Sequence, residues 1–279
     1  MEFKSAIRRA YEDHYALGAF NVYNLETALA VAQAAEKTGK SVIMQLSEKA
    51  LEYAGFDQIT GIIKRIQLDS KTPIYLHLDH GRDINIVKKC IADKFDSVMY
   101  DGSHLPMEEN IEISKSLRKL ASQRGVVFEA EIGRVGGRED SVSAQEFKTS
   151  PAEALEYYDA VKPDMLAVAI GNIHGELTAA EQLDFTLLAK ISDTVKCPLV
   201  LHGCSNRAER EYKVAIAEGV VKINIDTELR QAFVEGLKMA LHKREKDPRA
   251  ILTIAKNEVV KQTEEKIKIF SSGCCETKI

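Results

Sequence analysis

The chain has 279 residues, 45% of them hydrophobic, with 38 basic and 42 acidic side chains for a net charge of −4. That is enough sequence for one large core, and it carries no basic excess to draw in nucleic acid. The basic stretch 242–249 is broken by Glu245 and Asp247 and reads as a solvated helix end. No window reaches the roughly 18 uncharged apolar residues of a membrane span, and the N-terminus lacks the basic, apolar, small-residue order of a signal peptide. The cysteines are Cys90, Cys197, Cys204, Cys274 and Cys275. An odd number without zinc-knuckle spacing argues against a disulfide framework, so a reducing cytoplasm is the expected setting.

Taken in chain order, short apolar runs at 17–23, 41–46, 73–79, 96–101, 125–131, 164–170, 197–203 and 220–226 read as strands. They are nearly continuous in apolar residues, as parallel strands buried on both faces are. Amphipathic helical patterns lie between them at 25–39, 107–125, 178–195 and 206–220, the first two ending at a glycine. Residues 133–151, "GRVGGREDSVSAQEFKTSP", show no clear period and read as a mobile loop directly after the fifth strand. Beyond residue 226 come two or more helices, to about residue 270, and then a frayed tail at 271–279. Eight strand-plus-connection units predict a single-domain (β/α)8 TIM barrel over 1–279, with helices from 227–270 packed on it; a doubly wound open sheet is the alternative.

In a barrel, function gathers at the carboxyl ends of the strands. The predicted strands end in Asn21 and Asn24; Gln45 and Ser47; His77, Asp79 and His80; Asp101 and Ser103; Glu129 and Glu131; His174 just beyond the sixth; His202; and Asn224, Asp226 and Thr227. So many carboxylates and imidazoles at one mouth would be costly to bury without partners. His80, His174 and His202 come from three different strand ends, which is how catalytic zinc is usually held, by neutral imidazoles with a position left open. Gly81, Gly175 and Gly203 beside them allow close backbone approach. His77 fits a place behind such a centre, whereas His14, His104 and His242 lack matching context and read as structural or exposed.

The segments "GAFNVYN", "HLDHG", "SVMYDGSHLPMEEN", "EAEIGRVGGRED", "AIGNIHG", "LVLHGCSN" and "VKINIDTELR" run in order from about Gly18 to Arg230. Together they resemble the zinc-dependent class II ketose-bisphosphate aldolases, and "DGSHLPMEEN" with the short loops resembles the tagatose-bisphosphate branch more than the fructose-bisphosphate branch. The resemblance implies Zn2+ on His80, His174 and His202, with Asp101 and Glu131 behind it or serving an alternate metal position. It implies Asp79 as the acid at the aldehyde-side oxygen and Glu139 as the base at the carbon being bonded. Some relatives carry two adjacent acids there; here the first position is Arg138, and Asp140 is a weaker candidate for the base. Substrate contacts are implied at Asn21, Ser47, Gly175 and Asn224. The phosphate is expected on backbone N–H groups of Gly203, Cys204 and Ser205 and of Asp226 and Thr227, an anion nest after the last two strands. A monovalent cation, Na+ or K+, is implied near Gly175 and Gly203. Cys204 departs from the usual small residue of this loop and reads as a packing residue. Arg207 is expected to face solvent, and no arginine is assigned to a second phosphate.

The implied reaction is reversible cleavage of fructose- or tagatose-1,6-bisphosphate to dihydroxyacetone phosphate and glyceraldehyde 3-phosphate. These sugars differ at one stereocentre, which sequence does not discriminate. Lys222, the one lysine in a predicted strand, shares a face with Asn224 and Asp226, so a Schiff-base mechanism has to be weighed; it leaves the three histidines unexplained. Three further readings stay open: an aldolase for another phosphorylated ketose such as a deoxy-keto-gluconate phosphate, a metal-dependent hydrolase, and a non-catalytic barrel subunit. A hydrolase would place a His-x-His pair at the end of strand one, where this chain has "NVYN", and a companion subunit would have lost a ligand or the acid. A small phosphorylated sugar is the expected partner, in a homodimer or homotetramer.

Overall fold

The computed structural model describes residues 2–139, 142–144, 147–175 and 182–273, with the backbone alone for 137–139 and 142–144. Its strands are β1 (Leu17–Asn21), β2 (Val42–Ser47), β3 (Ile74–Gly81), β4 (Ser97–Tyr100), β5 (Val127–Ile132), β6 (Gly136–Glu139), β7 (Val142–Ala144), β8 (Met165–Val168), β9 (Ile173–His174), β10 (Leu199–Leu201) and β11 (Val220–Ile225). Eight of them close into a barrel in the order β1-β11-β10-β8-β5-β4-β3-β2, and β7, β6 and β9 form a separate three-stranded sheet. The eight barrel strands coincide with the eight predicted runs, and the open-sheet alternative falls.

Residues two apart on a strand face the same side, so each strand sends alternate side chains into the barrel. On β3 these are Tyr75, His77 and Asp79, paired in register with Ile43, Gln45 and Ser47 of β2. The lower layer is apolar. Leu17, Ile43, Tyr75, Val127 and Met165 pack with Phe3, Ala6 and Ile7 from the helix Phe3–Glu12, which plugs the bottom. Upward the filling turns polar, with Gln45, His77 and Glu129, then Asp79, Asp101 and Glu131, all buried. A second apolar shell lies between the strands and the surrounding helices, where Phe20, Leu46, Leu78, Phe128, Leu166 and Ile223 point outward. The sequence pattern missed the N-terminal helix and the helices Glu48–Ala54, Phe56–Asp69, Ile84–Ala92 and Pro151–Val161.

The segment 133–151 is a correction to the sequence reading. It holds β6 and β7, an antiparallel pair extended by an Arg134–Phe147 bridge, and β6 pairs in parallel with β9. Two strands this short and this rich in glycine carry no apolar alternation to read. At the far end, the helices Thr227–His242 and Pro248–Ser271 pack on each other, close enough that a Cβ on Gly236 would lie 2.5 Å from the Ala255 Cα. The second helix also returns to the barrel foot, where Ala16 N–H donates to the Phe270 carbonyl at 3.0 Å. Cys274, Cys275 and the rest of 274–279 lie outside the described residues, as does the start of the predicted helix 178–195, which begins in the structure at Phe185. Among the described residues no helix is long and apolar enough to cross a membrane.

Candidate active site

Three imidazoles meet at the carboxyl end of the barrel. His80 comes from the end of β3, His174 from β9 and His202 from the residue after β10, and ligand atoms of all three lie within 4.8 Å of one another. His80 holds φ at +45°, a conformation a non-glycine residue adopts at a cost of about 1 kcal/mol or more. Such strain is characteristic of side chains aimed at a site. Gly203 follows His202 at φ +58°, and a Cβ there would sit 2.6 Å from the carbonyl carbon of Ile173. Only glycine lets the β10 turn come this close to the strand that carries His174.

The carboxylate partners of two imidazoles fix which ring nitrogen carries the proton. His80 Nδ1 lies 3.2 Å from Asp101 Oδ2, and His202 Nε2 lies 2.8 Å from Glu129 Oε1. Carboxylates accept, so those nitrogens donate, and the other nitrogen of each ring presents a lone pair. Those two, His80 Nε2 and His202 Nδ1, face each other at 2.7 Å. Two lone pairs at that separation repel unless a cation or a proton lies between them, so the donor set fits a divalent metal. Burial first, and next the neighbouring His80, hold His202 well below the usual imidazole range, in the neutral form that ligates.

Behind the histidines the polar groups are charge-paired. Glu129 is met by Lys222 Nζ at 3.0 Å, and that amine also donates to Asn224 Oδ1 at 2.8 Å. Lys222 does point into the barrel, as alternation along β11 required, but its amine is committed to a fully buried ion pair under His202. A Schiff-base role would strand the Glu129 carboxylate. His77 sits beside them, its Nδ1 2.7 Å from Ser97 Oγ and its Nε2 3.6 Å from Glu129, and burial and then Lys222 hold it well below the imidazole range. Asp101 is pushed up by burial, but His80, Arg82 and Ser103 outweigh that and leave it well below the usual carboxylate range. The Arg82 guanidinium reaches it at 2.6 Å, and the Glu131 carboxylate lies 3.6 Å from His80 Nδ1. His80, Asp101 and Glu131 therefore form a second cluster of potential ligands.

Asp79 is fully buried beside this centre. Its carboxylate accepts from Asn21 Nδ2 at 2.9 Å, Gln45 Nε2 at 3.1 Å and Asn224 Nδ2 at 2.9 Å. Three amides thus fix both oxygens. Across the mouth, a pocket is lined by Asn21, His174, Gly175, Gly203, Ser205, Asn224, Asp226, Thr227 and Arg230. The Arg230 guanidinium lies 2.8 Å from Asp226. Ser47 caps the helix Glu48–Ala54 through its Oγ. The Cys204 thiol turns away from this pocket into the core, 3.3 Å from the His202 carbonyl, and burial pushes it up to about 12.

Two sequence expectations are revised or left open. Arg207 does not face solvent: its side chain is 2% exposed and pairs with Glu211 at 3.3 Å. Arg207 precedes the helix Glu209–Ala217, and Glu211 in that helix's first turn meets its guanidinium. Glu139 is placed by its backbone at the end of β6; Asp140 lies outside the described residues. Sequence reasoning named Glu129 and Gln45 as strand-end groups without giving them a role, and it passed over Arg82. The alternation of Gln45 with Ser47 and of Glu129 with Glu131 was the available signal for the first two.

A closed parallel barrel with a cluster of three histidines that could hold a metal and a pocket beside it at the carboxyl face has the layout of a barrel enzyme. The family described as "Fructose-bisphosphate aldolase class-II" matches residues 1–273, and the chain belongs to that family: it is a class II aldolase, a carbon–carbon lyase. It is 36% identical to a sulfofructosephosphate aldolase of Alkalicoccus urumqiensis over 274 residues, 96% of each chain. It is 35% identical to a 6-phospho-5-dehydro-2-deoxy-D-gluconate aldolase of Halalkalibacterium halodurans over 278 residues, 98% of this chain and 96% of that one. The crystal structure of a candidate fructose-1,6-bisphosphate aldolase from Coccidioides immitis superposes with a TM-score of 0.91 at 29% identity, covering 98% of this chain and 96% of that chain.

Proposed function

We propose that the protein is a zinc-dependent aldolase that cleaves a phosphorylated ketose, a 1,6-bisphosphate of fructose or tagatose or a close analogue, releasing dihydroxyacetone phosphate and an aldehyde. The observation that supports the reading is the pair of imidazoles locked by Asp101 and Glu129 with their other ring nitrogens 2.7 Å apart, next to the amide-clamped Asp79. When bound, zinc on His80, His174 and His202 would supply Lewis-acid stabilisation of the negative charge that cleavage leaves on the ketone side.

The chain's own residues account for the rest. Asn21, Gln45 and Asn224 orient Asp79 to hand a proton to or from the aldehyde-side oxygen. Backbone N–H groups of Gly203 to Ser205 and of Asp226 to Thr227 take the phosphate in the pocket across the mouth. Glu139 moves the proton at the carbon that forms or loses the bond. Its strand β6 is hydrogen-bonded to β9, so the sheet that carries this acid is continuous with the segment that carries His174. Asp101, held by Arg82 and Ser103, is best suited to orient His80.

The named relatives act on phosphorylated sugars that differ in the remainder of the molecule, one with a sulfo group and one with a gluconate carboxylate. The test is a panel assay: both 1,6-bisphosphates, sulfofructose phosphate and the deoxy-keto-gluconate phosphate, each with purified, chelated and zinc-restored protein. Dihydroxyacetone phosphate released from at least one sugar, lost on chelation and regained with zinc, is the expected result. Cleavage that survives complete metal removal would sink the zinc reading and return attention to Lys222.

A further inference from the structure

The loop after His202 is held from behind by a buried ionic network that reaches the C-terminal helix. Asn206, at φ +60°, donates its N–H to Glu228 Oε1. The other oxygen of Glu228 accepts from Gln262 Nε2 and pairs with Lys266 Nζ at 2.9 Å. Two residues before Asn206, the Cys204 carbonyl accepts from the Tyr212 hydroxyl at 2.6 Å, and that hydroxyl accepts the Arg207 N–H at 3.3 Å. Lys266 Nζ lies 3.4 Å from the same hydroxyl. Three peptide groups of the loop are therefore tied to two side chains, and both meet one lysine from the helix Pro248–Ser271.

Glu228 is 5% and Lys266 4% exposed. Burying such a pair contributes little stability compared with apolar residues of the same volume. What it does supply is direction, because each hydrogen bond fixes one peptide plane. We infer that Glu228, Lys266 and Tyr212 are positioning residues, which hold the peptide planes of Cys204 to Arg207 so that the N–H groups of Gly203 to Ser205 converge on the substrate phosphate. The inference rests on the proposed phosphate reading of that loop. None of the three side chains is among the residues lining the pocket, so their effect reaches the ligand through the backbone.

The test uses zinc-loaded full-length protein and inorganic phosphate. Two double variants carry the same charge and differ in one acceptor: Glu228→Ala/Lys266→Met removes the partner of the Asn206 N–H, and Glu228→Gln/Lys266→Met keeps an oxygen for it. Tyr212→Phe removes the hydroxyl at little steric cost. Calorimetry gives the phosphate Kd and chelator competition the zinc Kd. A phosphate Kd raised about tenfold is expected in Glu228→Ala/Lys266→Met and in Tyr212→Phe, the worth of one hydrogen bond. Glu228→Gln/Lys266→Met is expected to restore it, with zinc affinity unchanged throughout, and KM for the ketose should rise at constant kcat only in the two weakened variants. If Glu228→Ala/Lys266→Met does not fold, Tyr212→Phe decides alone. An unchanged phosphate Kd in folded Tyr212→Phe overturns the inference and leaves the phosphate site standing. Zinc affinity that falls with phosphate affinity also overturns it, by making the network a general support. A wild type that binds no phosphate overturns the site reading and the inference together.

Discussion

Lys222 is where a sequence motif and its structural setting part company. A strand lysine inside an aldolase barrel invites a covalent role, yet its amine lies 3.0 Å from Glu129, and that carboxylate sets the tautomer of His202. The lysine would therefore act on a metal held by His202 through two intermediaries. Lys222→Met should leave Glu129 as an uncompensated buried charge, costing about 3–5 kcal/mol of stability and lowering zinc affinity about 10- to 100-fold. Pairing it with Glu129→Gln should recover most of the stability but not the zinc affinity, because the amide orients His202 less firmly than a carboxylate. Denaturant unfolding and chelator competition on the same samples read the two effects separately, and full zinc affinity in Lys222→Met would refute the relay. Asp226 makes the second prediction at this scale. Burial raises its carboxyl to about 6 against the opposing pull of Arg230. A folded-state value above the unfolded one means that the group's contribution is fully present below about pH 4 and is lost as pH rises through about 6. Asp226→Asn, which cannot ionise, should match wild-type stability near pH 4 and exceed it by on the order of 3 kcal/mol at pH 7 to 8. Parallel unfolding curves across that range would contradict the assignment.

At the scale of elements, the turn after β10 and the short strand β9 are built against each other. Gly203→Ala would force a Cβ to within 2.6 Å of the Ile173 carbonyl carbon from a positive-φ position. Because His174 is the next residue, the displacement falls on a metal-ligand candidate. We expect the variant to lose about 1–3 kcal/mol of stability and to bind zinc more weakly, as read by thermal unfolding and metal titration; wild-type zinc affinity would show that β9 can yield. The barrel strands were legible because burial on both faces writes a continuous apolar run, and the strand-end polar residues because nothing apolar explains them there. Short pieces were not. β6, β7 and β9 are four, three and two residues long and are held by backbone pairing that any side chain permits. The helix Phe3–Glu12 was missed for another reason: Phe3, Ala6, Ile7 and Ala10 do form one apolar face, but no β-strand precedes it to complete a βα unit. The buried pair Glu228–Lys266 could not be foreseen either, since its partners stand 38 residues apart on two helices whose crossing the sequence does not state.

Across the whole molecule, the three histidines join two sheets that share no strand pairing among the described residues. His80 and His202 belong to the barrel wall, whereas His174 belongs to the three-stranded sheet that also carries Glu139. A metal that takes all three would staple that sheet onto the mouth of the barrel. Anything that binds the native state alone stabilises it by RT ln(1 + [L]/Kd), about 4 kcal/mol at a thousandfold excess over Kd. Part of that gain should appear locally, because small sheets at a rim open more readily than a closed barrel. We expect zinc to slow amide exchange in Gly136–Glu139 and Ile173–His174 far more than in β3 or β5, which are already deep in the wall. His174→Ala should abolish the extra protection of β6 while leaving barrel exchange as in the wild type, whereas His80→Ala should remove it by losing the metal altogether. Exchange in β6 that is the same with and without zinc would mean that the sheet is docked by its own contacts.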